Sequence, residues 1–157
     1  MTVNAKMEPK MTDELPTLKI TRADINDRNE YIGATDVSDY AGHIDIDADL
    51  GWVIFTASIG AKGHILSLAG SGIEAGDGIK AGDGIEAGWG IEAGLSITAK
   101  WLSARLRIFA GLCAWRLPTP EETEIRAEVR GGAVAFGTVV APVEGADAEP
   151  LDPGGVV

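Results

Sequence analysis

One six-residue unit is written four times in succession. Gly72-Ile73-Glu74-Ala75-Gly76-Asp77 is followed by Gly78-Ile79-Lys80-Ala81-Gly82-Asp83, then by Gly84-Ile85-Glu86-Ala87-Gly88-Trp89 and Gly90-Ile91-Glu92-Ala93-Gly94-Leu95. The phase persists in Ser96-Ile97-Thr98-Ala99 and is anticipated by Ala69-Gly70. In an extended strand, residues two apart point to the same side. Ile and Ala therefore share one side of each unit, and the Glu or Lys between them faces the other. The glycines that follow supply a corner, because glycine accepts positive φ without a steric cost. A helix is excluded by recurrent glycines that each cost about 1 kcal/mol, and collagen by the absence of a strict Gly-X-Y period. Three-residue strands joined by glycine corners make a poor meander. The pattern predicts a solenoid, in which each turn of chain stacks on the last.

On these residues the block resembles the hexapeptide-repeat proteins of the parallel β-helix type, which place an aliphatic residue inward every six residues. The resemblance covers residues 69–99 and implies a coiled, parallel, all-β architecture. That family carries a small residue four positions after the aliphatic one, where this chain has Asp77, Asp83, Trp89 and Leu95. The handedness of the coil stays open.

Four hexads make little more than one triangular turn, too little to stand alone, so the flanks must add rungs. Short alternating segments at His43–Ile46, Trp52–Phe55 and His64–Leu68 are suitable upstream. Downstream, Leu102, Ala104, Leu106, Ile108 and Ala110 alternate with polar residues as in a longer strand, while Leu102, Leu106, Phe109 and Cys113 would also suit one face of a helix. Gly131-Gly132, between two further alternating segments, predicts a hairpin that caps the open end. The expected organisation is a flexible segment over 1–16, a small β-solenoid (β-helix) over 17–117, a C-terminal β-hairpin over 118–140 and a disordered acidic tail over 141–157.

Charge narrows the function. The chain has 24 acidic and 13 basic side chains, a formal net charge of −11. Residues 23–49 hold eight acids against Arg28, and Lys100, Arg105, Arg107 and Arg116 form the one basic cluster. Direct nucleic-acid binding is not expected, since it needs clustered basic side chains. The longest apolar run, Ile108–Trp115, is too short to span a bilayer, and the first ten residues lack the apolar stretch of a secretory leader. No membrane association and a cytoplasmic location are expected. Cys113 has no second cysteine to pair with and reads as a buried, inert thiol.

Stacked outward residues form rows, so Glu74, Glu86 and Glu92, with Asp77 and Asp83 at corners, are expected to project near the acidic segment. The candidate partner-binding residues are these five together with Asp36, Asp39, Asp45, Asp47 and Asp49, and Trp89 as an aromatic anchor. They imply a positively charged protein partner. Gly-Asp-Gly corners offer oxygen ligands for calcium, but calcium solenoids have a nine-residue period, so no metal is expected. His43 and His64 lack a recognisable motif and read as structural. No phosphate loop, dinucleotide fingerprint or zinc spacing occurs, so the expectation is a non-enzymatic protein without a cofactor.

In size, charge and repeat type the chain is similar to the small acidic inhibitors, anti-CRISPR and anti-restriction proteins among them, that phages and mobile elements direct at host defence complexes. The resemblance implies an inhibitor of a nucleic-acid-handling complex. The alternative is a self-assembling structural β-helix, bactofilin-like, whose acidic N-terminal half meets the basic residues 100–116 of the next copy. A relative of hexapeptide-repeat acyltransferases, using His43 or His64 as base, is the third reading.

Overall fold

The computed structural model describes residues 15–141. Their strands, in chain order, are β1 (Thr17–Ile20), β2 (His43–Ile46), β3 (Gly51–Phe55), β4 (Ile59–Ala61), β5 (Ile65–Ser67), β6 (Ser71–Ala75), β7 (Ile79–Ala81), β8 (Gly84–Ala87), β9 (Ile91–Ala93), β10 (Ile97–Phe109), β11 (Glu124–Phe136) and β12 (Thr138–Val140). All twelve belong to one curled sheet, and every strand pair in it is parallel. The expectations of flexibility at the two ends fall, apart from residues 15, 16 and 141, outside the described residues.

The pairing sorts the strands into three rows. Row A stacks β1, β2, β5 and β8, then the middle of β10. Row B stacks β3, β6 and β9, then the end of β10. Row C stacks β4 and β7, the start of β10, the start of β11, and β12. The repeat explains this order. Each hexad lies on the row after its predecessor, so Ile73 comes into register with Ile91, three hexads later, and Ile79 with Ile97. The result is a β-helix-like fold.

The inward isoleucines form the core. Ile44, Ile65, Ile85 and Leu102 stack in row A, Val53, Ile73, Ile91 and Ile108 in row B, and Ile59, Ile79, Ile97 and Ile125 in row C, each at most 1% exposed. Full burial of one such side chain contributes about 1.5–3 kcal/mol. The small inward partner, Ala75, Ala81, Ala87 or Ala93, lies beside the corner and is also buried.

The corners correct one expectation. Among the described residues positive φ occurs at Asn29, Asp49, Gly51, Gly70, Gly111, Gly132 and Gly137, none of them in the repeat. The repeat needs glycine for close approach. A Cβ on Gly76, Gly82, Gly88 or Gly94 would lie 2.4, 2.1, 2.2 or 2.0 Å from a carbonyl oxygen of the preceding turn. The same corners hydrogen-bond turn to turn, Gly82 N–H to Ala61 and Gly94 N–H to Ala75 among them.

The downstream region is strand, not helix. β10 is one bent strand that follows all three rows, pairing in turn with β7, β8 and β9. Leu102, Ala104 and Ile108 face inward, but Leu106 lies at a bend and is 46% exposed. Cys113, expected to be buried, is half-buried in the segment after β10.

The C-terminal hairpin is corrected too. β11 runs through Gly131-Gly132 without reversing, its Val129 beside Leu102 and its Val134 beside Ile108 in parallel register. Gly132 turns the strand from row A to row B at φ 94°, where a Cβ would meet the carbonyl oxygens of Ala104 and Leu106. The two glycines form a corner between rows A and B, at positive φ like those at Gly51 and Gly70, and residues 124–140 join the same sheet instead of capping it.

Candidate acidic binding face

The row order separates the outward acids. Glu74 and Glu92 are neighbours in row B, with Ile54 on one side and Phe109 on the other. Glu86 lies in row A, in register with Leu66, Asp45 and Lys19. Lys80 falls in row C, where Gly60, Lys80, Thr98, Arg126 and Val140 stand in register without an acid. The expected single ladder of Glu74, Glu86 and Glu92 is therefore split across two sides.

The other candidates are spread around the corners. Asp77 sits between rows B and C, and Asp83 between rows C and A, each tied by backbone hydrogen bonds to the turns on both sides. Asp47 and Asp49 lie between rows A and B. Buried Ser71 donates its hydroxyl to the Asp47 carbonyl, and the Arg22 guanidinium donates to that of Asp49. Asp36 and Asp39 are exposed in the irregular segment after β1. The Ser38 backbone N–H and hydroxyl donate to Asp36 and hold its carboxyl below the usual range. Trp89 is half-buried, its ring 5.7 Å from that of Trp52, which in turn lies across Gly72 and Gly90. One side of its indole packs against the fold, and the rest stays accessible.

Row A gathers a group that the spacing of the repeat did not reveal. Thr17, His43, His64, Gly84 and Trp101 fall in register along its outer surface. The rings of His43 and His64 stack with centroids 4.1 Å apart, and His43 Nδ1 accepts the His64 backbone N–H at 3.0 Å. His64 Nε2 is 3.0 Å from Asp45 Oδ1. A Cβ on Gly63 would lie 2.1 Å from His43 Nδ1, so the glycine makes room for this stack. Trp101 spreads over Gly84 in the same way, with the Arg130 guanidinium 5.1 Å from its ring. Between His64 and Trp101 lies a hollow of about 210 Å³, lined by Leu66, Asp83 and Glu86. It brings together two of the expected acids with an indole that is not among the candidate partner-binding residues. The clue was Gly84, but it becomes visible only once Trp101 is known to be its neighbour in the next turn.

A second hollow, of about 390 Å³, lies where residues 112–115 fold against row B beside Glu74 and Glu92. Desolvation there raises the carboxyl pKa of both, and the charge of Glu92 adds to the rise at Glu74. A folded-state pKa above the unfolded value means that the folded chain holds its protons longer, so stability falls as pH rises through that interval. Glu74→Gln is expected to stabilise the protein at neutral pH, by up to about 1 kcal/mol after solvent screening. Below the ordinary glutamate range the gain should vanish. Urea denaturation of both proteins at neutral and acid pH checks this. An equal gain at both would exclude the charge as its cause.

Among the described residues no group of three or more His, Cys, Asp or Glu side chains is arranged to hold a metal ion, and no helix is long and apolar enough to cross a membrane. No family model matches the chain, nor does any curated protein or solved structure.

Proposed function

We propose that the curled sheet is a short three-sided β-solenoid acting as a non-catalytic protein-binding module, with row A as its contact face for a basic partner. The hollow beside Trp101 carries this reading. An indole face attracts a cation, by about 0.5–2 kcal/mol depending on desolvation, and the carboxylates of Asp83 and Glu86 line the same space. A lysine or arginine side chain of a partner would find stacking and charge pairing together there. Arg130 beside the same ring is an intramolecular instance of the first interaction. Asp45, bonded to His64, extends the negative potential along the row.

Proteins that handle nucleic acid present clefts of lysine and arginine, so a compact acidic face of this kind suits an inhibitor that competes for such a cleft. Both histidines already have partners, His43 through Nδ1 and His64 through Nε2.

The test uses the tagged chain and its Asp83→Asn/Glu86→Gln and Trp101→Ala variants as bait in lysate of the native host, at low and high salt. A basic partner should be retained by the parent at low salt, released at high salt, and reduced about tenfold or more by the paired acid variant. A partner held equally by all three proteins would assign binding to another face and overturn the proposal.

A further inference from the structure

The last turn of the sheet differs from those before it. Its inward residues are Val129, Val134 and Val139, stacked on Leu102, Ile108 and Ile125. Those three are fully buried, whereas Val129 and Val134 are half-buried and Val139 is 48% exposed. Among the described residues, no strand pairs with the outer edge of β11 beyond Arg126, or with that of β12. An unpaired edge above an open apolar layer is a template for further strands. The opposite end is different. There the irregular residues 21–42 bury Ile25 and Val37 against the core and cover the edges of β3 and β4. They do so through the bridges of Glu30 with Ile54 and Tyr40 with Ala61 and through the Asn29 side chain, which donates to the Leu50 and Trp52 carbonyls. Only β1 leaves an edge there without a partner strand among the described residues.

Charge selects the occupant. The chain carries −11 overall, so contact between two copies through an acidic surface is opposed by repulsion. The last turn is neutral. Its charged residues, Glu128 and Arg130, form an ion pair at 3.1 Å on the outer side of β11. Residues 141–157 are a poor alternative, because Pro142, Pro150 and Pro153 have no N–H to donate and Glu144, Asp147, Glu149 and Asp152 add only negative charge.

We propose that a second copy of this chain docks on this edge, head to head, about a two-fold axis at Val129. Such an axis reverses strand direction, so β11 pairs antiparallel with itself. Glu128 then stands opposite Arg130 of the second copy, and Arg130 opposite its Glu128. The same axis exchanges rows B and C, bringing residues 133–136 against 138–140 of the second copy. The valines of both last turns close into one apolar layer. Such an isologous contact stops at two copies, in place of the head-to-tail filament suggested by the charge distribution along the chain. The proposal rests on the solenoid reading but not on the basic-partner reading.

Analytical ultracentrifugation of the full chain over a concentration series tests it, with circular dichroism to establish that each variant keeps the parent's β-structure. A monomer–dimer equilibrium is expected. Arg130→Glu should raise the dissociation constant about tenfold or more, since two opposite-charge contacts become like-charge contacts. Glu128→Arg should do the same, and the double variant Glu128→Arg/Arg130→Glu should restore the parent value. A natively folded parent that stays monomeric overturns the proposal without touching the row A binding face. A dimer indifferent to the single reversals, growth beyond the dimer, or dimerisation only after removal of residues 141–157 would overturn it as well.

Discussion

Gly94→Ala is expected to destabilise the protein by about 3 kcal/mol, the upper range for an overpacked core site. For a domain of this size that lowers the unfolding midpoint by roughly 10 °C. The new methyl carbon would lie 2.0 Å from the Gly76 carbonyl oxygen and 2.8 Å from its carbon. Both are backbone atoms of the adjacent turn, so no rotamer change relieves the contact, and the two turns must separate. Separation weakens the corner bond from Gly94 N–H to Ala75 and loosens the isoleucine stack beside it. Gly78→Ala is the matched comparison. Its nearest new neighbour, the Ser96 carbonyl oxygen, is 3.2 Å away, and its φ lies outside the left-handed region. Its cost should stay below about 1 kcal/mol, because alanine also restricts the unfolded chain. Thermal unfolding of the two variants decides the matter. Equal losses would mean that the hexad glycines serve backbone freedom instead of close stacking.

Ile85→Ala should cost about 2–5 kcal/mol, the range for truncating a fully buried aliphatic side chain. Ile85 is 0% exposed and lies between Ile65 and Leu102 in row A. Turns on both sides are pinned by their own hydrogen-bond ladders, so the cavity left behind cannot close easily. Ile54 tests the inside–outside assignment. It stands on the outer surface of row B, in register with Glu74, and is half-buried. Ile54→Ala should therefore cost clearly less, about 1 kcal/mol. Chemical denaturation with matched slopes for both variants checks the ranking. A reversed order would place the isoleucine ladder on the wrong side of the strands.

Much of the fold was legible because the repeat obeys two periods at once. Alternation within Ile-Glu-Ala sets the inward and outward sides of each strand, and the six-residue recurrence sets the corners. Together they identify Ile73, Ile79, Ile85, Ile91 and Ile97 as core. The C-terminal region misled because Gly131-Gly132 between alternating segments is a valid hairpin signal when read locally. In the folded chain the sheet already offers a parallel edge along β10, and continuing along it pairs Val129 with Leu102 and Val134 with Ile108. A reversal at the glycines would have forfeited that register.

The proposed binding face was legible only in part. Asp83 and Glu86 were recognised as outward acids, but their association with Trp101 and His64 arises from neighbouring turns. Trp101 belongs to β10, outside the repeat, and meets Gly84 through stacking. Trp89 stood out because it interrupts a run of corner aspartates, but its contact with Trp52, two turns earlier in the stack, is visible only in the folded chain.

Local pattern thus determined what each short strand buries and where the chain bends, since both depend on residues within six positions of one another. Tertiary structure alone decided which outward side chains became neighbours. Successive hexads fall in different rows of the curled sheet, so glutamates adjacent in the repeat separate, and residues nearly twenty positions apart come together at the spacing of paired strands, about 4.8 Å.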